Sequence, residues 1–213
     1  MTESVRLSQR LYIKDLKTVD SVSPKEWRLI MGLFDSNPTP PVNSAPSGTN
    51  KFVDIVFANL PENVEQFKAL PQAQLTTPFE TAALTVLAFC FYPKDKAASL
   101  EMLNYLRGPR PLSPYDEQFI RDRFMDKDYV PRSYFTGAVP ANDYQPSQPY
   151  TVRVSENPYS YQNEGYSRMF LTSGGADSQR YIDLRLAKDG KWYLWEQYIL
   201  SGIREPESSN SWA

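Results

Sequence analysis

The fold is decided by residues 180–198, RYIDLRLAKDGKWYLWEQY, which have the pattern of two β-strands joined by a tight turn. Apolar and polar residues alternate on both sides of Asp189-Gly190, a dipeptide favoured in two-residue hairpin turns. Counting outward from a two-residue turn places Asp183 directly opposite Glu196. The sequence therefore predicts an antiparallel hairpin whose register follows from its turn.

This register divides the hairpin into two faces, because side chains that are directly opposite share a face. The face predicted to lie against helices holds Ile182, Leu184, Leu186, Tyr193 and Trp195. The other face holds Tyr181, Asp183, Arg185, Ala187, Trp192, Leu194, Glu196 and Tyr198.

The second face carries the candidate site. Two carboxylates directly opposite each other are destabilising unless Arg185 bridges them or one of them is protonated. Three interpretations stay open: a solvated, salt-bridged face, a pocket for a small polar ligand or a sugar-like ring, and an acid–base pair. The candidate ligand-binding residues are Tyr181, Asp183, Arg185, Trp192, Glu196 and Tyr198.

Upstream of the hairpin, the apolar period of two continues in residues 150–156, YTVRVSE, and residues 165–172, GYSRMFLT. We therefore expect a four-stranded antiparallel meander over residues 150–204, followed by a polar tail over residues 205–213.

The chain before residue 127 has helical signals. Thr77-Pro78-Phe79-Glu80 is typical of a capping box, and the apolar residues that follow it predict a central core helix. We predict further helices over residues 94–108 and 113–126, and a helix that begins at Pro24. Residues 51–60, KFVDIVFANL, have a β-branched content that fits a strand, but five apolar positions fit a helical stripe, so we predict a helix here. A short helix is expected from Pro61. Helices followed by strands predict one α+β domain over residues 1–213, with a helical part over residues 1–126.

Residues 127–149 are rich in proline and tyrosine. A segment of this length without regular structure is often functional. Its aromatic residues indicate either packing on the domain or contact with a partner. The candidate interaction surface comprises Tyr129, Arg132, Tyr134 and Tyr144.

Composition excludes several function classes. The net charge of −2 excludes a strongly basic nucleic-acid binder. The chain has no histidine and one cysteine, which excludes imidazole catalysis, zinc clusters and an internal disulfide. No stretch approaches the roughly 20 apolar residues of a membrane span. We expect a soluble, cytoplasmic protein without metal or cofactor, whose partner is an unknown small molecule or protein, and whose oligomeric state stays open.

Several long segments, among them PFETAALTVLA, DYVPRSYFTGA, YTVRVSENPYSY and KWYLWEQYILSGIR, resemble a family of bacterial proteins. That family occurs mainly in Gram-positive anaerobes and is known only as a domain of unknown function. The resemblance covers roughly residues 50–213 and implies no activity and no catalytic residue. The order of helices and strands is also similar to the NTF2-like cone, an analogy that favours a pocket between sheet and helices.

The absence of a recognisable nucleophile–base pair favours a non-catalytic module that binds a small ligand or a protein. Two alternatives stay open. One is an enzyme that uses Asp183 and Glu196, and the other is a structural or interaction protein that acts through residues 127–149.

Overall fold

The computed structural model describes residues 50–209 and Ser211, and the described residues fall within one compact unit. The helix expected from Pro24 lies outside the described residues. The single domain over residues 1–213 therefore stays a prediction.

Over residues 50–209 the protein is α+β, with one antiparallel sheet in which strands that are neighbours in the chain are neighbours in the sheet. Within these residues the sheet has five strands, not the predicted four, because a strand that precedes the helices extends the meander. The strands are β1 (Lys51–Phe57), β2 (Tyr150–Glu156), β3 (Tyr166–Leu171), β4 (Arg180–Leu186) and β5 (Trp192–Gln197).

The helices lie between β1 and β2 in the chain and cover one face of the sheet, here called the inner face. They are α1 (Val64–Lys68), α2 (Pro78–Phe91), α3 (Lys96–Arg107) and α4 (Pro114–Arg123). Short 3-10 turns lie at Pro71–Gln74, Pro131–Tyr134, Pro140–Asn142 and Glu207–Ser209. The helix expected from Pro61 is α1, which begins three residues later, after the cap Asn63.

The prediction of a helix over residues 51–60 was wrong, because β1 pairs along its whole length with β2. Its side chains alternate in burial: Ile55 and Phe57 are buried, whereas Phe52 and Val56 are exposed. The helical stripe counted these two exposed residues as core positions. The β-branched residues of the segment were the better signal.

The expected capping box at the start of α2 is confirmed. The Thr77 side chain accepts a hydrogen bond from the Glu80 backbone, and the Glu80 carboxylate accepts one from the Thr77 N–H. Every residue of α2 is buried except Glu80 and Cys90. The helix contacts all five strands, so α2 is the central core helix that the sequence predicts.

The β5 strand is an edge of the sheet, and side chains bond to its free carbonyl groups. The Thr81 hydroxyl donates to the Trp192 carbonyl at 2.7 Å. Arg107 and Arg110 both donate to the Trp195 carbonyl, at 3.4 and 3.3 Å. Such contacts protect this edge from pairing with another chain.

Residues 127–149 pack onto the domain. Tyr134 is buried and donates its hydroxyl to the Ile199 carbonyl at 2.7 Å. Tyr144 is also buried and donates to the Arg204 carbonyl at 2.7 Å. Its ring stacks on that of Tyr129 with centroids 5.4 Å apart. Aromatic packing therefore holds a segment that has little regular structure.

The cap of α4 gives the fold a testable pH dependence. Ser113 and Asp116 form a reciprocal capping box, and the Arg107 guanidinium lies 3.8 Å from the Asp116 carboxylate. Burial alone would raise the pKa of Asp116, but the hydrogen bonds from Ser113 and the charge of Arg107 leave this pKa below its ordinary value. The carboxylate therefore stabilises the fold above the unfolded-state pKa, and this contribution is lost as pH falls through the folded-state pKa.

We expect Asp116→Ala to lower the free energy of unfolding by about 1 kcal/mol at neutral pH. The difference from the unmodified protein should shrink as the pH falls below about 4, where Asp116 is protonated in the unfolded chain. Urea unfolding at a series of pH values measures this difference in the free energy of unfolding. Asp122→Ala, on the same helix, is the control and should change stability by less than about 0.5 kcal/mol. A difference that is independent of pH would contradict this account.

Candidate functional site

The turn of the β4–β5 hairpin contains three residues and not the predicted two. The Ala187 N–H donates to the Lys191 carbonyl at 2.9 Å, and Gly190 has a positive φ of 79°. A three-residue loop with glycine in this conformation is a common hairpin connection. Next to the turn the pairing is therefore displaced by one residue, and Leu186 lies opposite Trp192.

A β-bulge restores the predicted register farther from the turn. Leu184 pairs with Leu194, and the next pair is Asp183 with Glu196, so Trp195 is the extra residue on β5. The expected pairing of the two carboxylates is confirmed. It results from two departures that cancel: a longer turn and a compensating bulge.

The predicted faces of β5 were wrong between the turn and the bulge. Leu194 is buried in the core, and Trp192 packs against the core and the ring of Tyr161. Trp195 instead lies beside Tyr166, whose ring centroid is 5.8 Å away. Leu186, expected to be buried, is 40% exposed. A displacement of one residue exchanges the two faces of a strand.

Trp195 lines a cavity of about 350 Å³, here called the outer-face pocket because it lies on the side of the sheet away from α2. The connection between β2 and β3, residues 157–165, forms its other wall. Polar lining residues are Asn157, Ser160, Gln162, Asn163, Ser167, Arg168 and Asp183. Aromatic lining residues are Tyr159, Tyr166, Phe170 and Trp195.

An ion pair between neighbouring strands lies in the outer-face pocket. The Arg168 guanidinium donates to both carboxylate oxygens of Asp183, at 2.7 and 2.8 Å. The guanidinium carbon is also 4.1 Å from the ring centroid of Tyr181. Two-point pairing of this kind fixes the orientation of both groups, so the charged atoms have a defined geometry.

Cations hold the aromatic wall of the pocket in place. The Arg185 guanidinium lies 4.8 Å from the ring centroid of Tyr166 and 5.1 Å from that of Trp195, and it also donates to the Tyr166 hydroxyl. The Arg110 guanidinium lies 4.2 Å from a Trp195 ring centroid. Cation–π contacts on both tryptophan and tyrosine keep these rings in fixed positions.

The expected bridge from Arg185 to the two carboxylates was wrong. Asp183 pairs with Arg168, and Glu196 pairs with Arg110 at 3.0 Å. Each carboxylate therefore has its own arginine, and the like charges are compensated separately. Sequence spacing could not show this, because Arg110 comes from the loop after α3 and Arg168 from a strand outside the hairpin.

Only one of the six candidate ligand-binding residues lines the outer-face pocket, namely Asp183. Arg185 supports the pocket wall, and Tyr181 stacks on Tyr198 beside the pocket with ring centroids 4.5 Å apart. Trp192 is half-buried and packs against the core, and Glu196 lines a different groove.

Sequence reasoning missed the residues that the β2–β3 connection contributes to the outer-face pocket. The available signal was the polar and aromatic run at residues 156–164, ENPYSYQNE, which was interpreted only as a turn. This segment lies over the outer face of the sheet, where the Arg168 N–H donates a hydrogen bond to the Ser160 carbonyl at 2.8 Å.

The candidate interaction surface on residues 127–149 is mostly buried. Tyr129, Tyr134 and Tyr144 belong to the core, and of the four residues only the side chain of Arg132 is substantially exposed. Buried rings contribute to packing and offer no contact area to a partner.

Other chemistry-bearing groups give a simpler result. Cys90 is half-buried as a residue, but desolvation of its thiol raises the pKa of that thiol to about 12, which keeps it protonated at neutral pH. Within residues 50–209, no group of three or more acidic or cysteine side chains is placed to hold a metal ion. None of the helices in this part of the chain is long and apolar enough to cross a membrane.

Comparison with known proteins gives one match. The family model described as a domain of unknown function, DUF6935, matches residues 59–207. No curated protein and no solved structure matches the chain. The likeness to an NTF2-like cone therefore stays a prediction.

Proposed function

The chain belongs to the DUF6935 family, a domain of unknown function. From the geometry of the outer-face pocket, we propose that this protein is a non-catalytic binding protein that holds a small, neutral saccharide there. The observation that carries the proposal is the convergence of aromatic rings and hydrogen-bonding side chains on one cavity. The cavity of about 350 Å³ falls within the common range of ligand sites, about 300 to 1,000 Å³.

The aromatic residues suit the apolar side of a sugar ring. A pyranose presents C–H groups on its faces and hydroxyl groups around its rim. Tyr166 and Trp195 meet edge to face, at an interplanar angle of 83°. Two rings at right angles offer one flat surface for the C–H groups and one side wall, and their cation contacts reduce the ordering required on binding.

The polar residues suit the hydroxyl groups of such a ring. Asn157, Gln162 and Asn163 line the pocket, and each amide both donates and accepts hydrogen bonds, as each hydroxyl does. Arg168 and Asp183 are the charged lining residues, and they neutralise each other. An ionic ligand would meet no uncompensated charge there, so the pocket favours a neutral one.

The geometry favours binding over the alternative of acid–base catalysis. Asp183 and Glu196 each accept hydrogen bonds from an arginine, and Glu196 does not line the pocket. A pair of carboxylates that act together on one substrate needs both to face it. The cytoplasmic location expected from the sequence belongs to this proposal, and cell fractionation tests it.

Native mass spectrometry of the gently purified protein tests the proposal. We expect a reproducible added mass equal to that of a neutral hexose, an N-acetylhexosamine or a short oligomer of these. This mass should be lost from a variant in which Asn163→Leu removes a hydrogen-bonding amide. It should be kept in the Asn104→Leu control if that variant folds, because Asn104 lies on α3, accepts a hydrogen bond from the Leu112 N–H and does not line the pocket.

A nucleotide, lipid or peptide as the added mass would contradict the saccharide proposal. If the purified protein carries no added mass, the same measurement is made after incubation with a mixture of neutral monosaccharides and disaccharides. A protein that then still binds none of them would also contradict it.

A further inference from the structure

The Arg168 guanidinium in the outer-face pocket uses only one of its paired donor edges. A guanidinium is planar, and its N–H groups have a fixed arrangement in which an edge donates two parallel hydrogen bonds. The edge formed by Nε and Nη2 donates to Oδ1 and Oδ2 of Asp183, at 2.7 and 2.8 Å. The edge formed by Nη1 and Nη2 has no hydrogen-bond partner among the described residues. This free edge leaves two parallel donors for a ligand.

The free edge of Arg168 is accessible. The Arg168 side chain is 46% exposed, and it lines the outer-face pocket together with Asp183, whose side chain is 20% exposed. The ring of Tyr181 covers one side of the guanidinium plane, because its centroid lies 4.1 Å from the guanidinium carbon. A ligand therefore binds in the plane of the N–H groups, where hydrogen bonds are closest to linear.

A second ion pair of the same kind lies outside the pocket. Arg153 on β2 donates to both carboxylate oxygens of Asp54 on β1, at 2.7 Å each, and its guanidinium carbon lies 4.7 Å from the ring centroid of Phe52. Neither Arg153 nor Asp54 lines the outer-face pocket. Such a pair with a ring against it is therefore a structural element of this sheet. What distinguishes Arg168 is its position in a cavity with aromatic and amide walls.

The spacing of the two free donors selects the acceptors. Two parallel N–H groups fit two acceptor atoms held close together, as in a carboxylate. A carboxylate ligand would be repelled by Asp183, which already compensates the charge of Arg168. In a neutral saccharide, two hydroxyl oxygens on neighbouring ring carbons form a pair of acceptors at a comparable spacing. Hydroxyl groups on opposite sides of a ring are too far apart to accept from both donors.

We propose that the outer-face pocket selects saccharides with two free hydroxyl groups on neighbouring ring carbons, and that Nη1 and Nη2 of Arg168 donate to this diol. Asp183 positions the guanidinium by occupying its other edge. A sugar that lacks one of the two hydroxyl groups binds more weakly. The inference rests on the proposed function, because it takes the outer-face pocket as the site of a sugar ring.

Three small probes test the spacing before the natural sugar is known. trans-1,2-Cyclohexanediol has neighbouring hydroxyl groups, trans-1,4-cyclohexanediol has the same atoms with the hydroxyl groups on opposite sides of the ring, and cyclohexanecarboxylate has a charged pair of acceptors. Each is titrated into the ¹⁵N-labelled full chain, followed at the Nε–H signal of Arg168 and the indole N–H signal of Trp195.

We expect saturable shifts with the 1,2-isomer at millimolar concentration. The 1,4-isomer should bind at least about tenfold more weakly, because it loses one of two hydrogen bonds from a charged donor. The carboxylate should also bind more weakly than the 1,2-isomer. Equal binding of the two isomers, tighter binding of the carboxylate, or no binding of the 1,2-isomer would overturn the proposal.

Two matched variants separate contact with the diol from a structural role of the ion pair. Arg168→Lys keeps the charge but removes the two parallel donors, so the preference for the 1,2-isomer should be lost. Arg153→Lys makes the same change outside the pocket and should leave both affinities within about twofold. The Trp195 indole signal reports binding in both variants. If Arg168→Lys weakened both isomers equally, Arg168 would act only through the structure of the pocket, which would contradict the proposal.

The saccharide proposal is tested separately, by titration with sugars, so that the two ideas can fail independently. If a sugar binds while the two cyclohexanediol isomers bind equally, the proposed function stands and the assignment of the diol to Arg168 is wrong. If the 1,2-isomer is preferred and no sugar binds, the assignment of the diol stands and the proposed function is wrong.

Discussion

Replacement of Tyr134 by serine is expected to lower the free energy of unfolding by about 3 to 5 kcal/mol, the usual range for loss of a buried aromatic side chain. Tyr134 is 1% exposed and packs within the main core. The substitution leaves a cavity where the ring was. It also removes the hydroxyl that donates to the Ile199 carbonyl at 2.7 Å, and this carbonyl then has no donor from that side.

The same change at an exposed tyrosine is the control. Tyr159 is 61% exposed, and Tyr159→Ser should change the free energy of unfolding by less than about 0.5 kcal/mol. Urea unfolding followed by fluorescence measures both variants. If Tyr134→Ser left the stability unchanged, residues 127–149 would not be packed as the structure shows. The interaction surface expected on this segment would then regain support.

Replacement of Trp195 by leucine is expected to weaken binding of the saccharide by about 10- to 100-fold, the range for an aromatic residue at the centre of a binding site. Leucine keeps apolar volume but removes the flat ring that the sugar contacts. It also removes the surface against which Arg110 and Arg185 stack, so the remaining wall is less ordered.

Trp192→Leu is the matched control, because Trp192 lies on the same strand three residues earlier and does not line the pocket. It should lower stability, since Trp192 packs against the core, but leave the affinity within about twofold. Calorimetry with the ligand identified by native mass spectrometry gives both affinities. Equal losses in the two variants would indicate a general effect on folding and not a contact at Trp195.

Local signals predicted those parts of the fold that depend on local interactions. The capping box at Thr77 and Glu80 is a contact within four residues, and α2 begins where it indicates. The prediction for residues 51–60 failed because their apolar residues fit both a helical and a strand pattern. Pairing with β2, about one hundred residues away in the chain, decides between them.

The candidate site shows why register is harder to predict than strand identity. Asp183 does pair with Glu196, but through a three-residue turn and a bulge at Trp195 that the sequence alone did not indicate. The arginine that neutralises each carboxylate comes from another element, Arg168 from β3 and Arg110 from the loop after α3. Such partners follow from tertiary packing, which spacing along one hairpin does not contain.

The most direct test of the saccharide proposal is an NMR titration of the ¹⁵N-labelled full chain with neutral monosaccharides and disaccharides, followed at the indole N–H signals of its tryptophans and the Nε–H signal of Arg168. The account predicts saturable shifts of the Trp195 and Arg168 signals with at least one neutral sugar, while the Trp192 signal stays in place. Shifts confined to other signals, or no shift at Trp195 with any of the sugars, would contradict it.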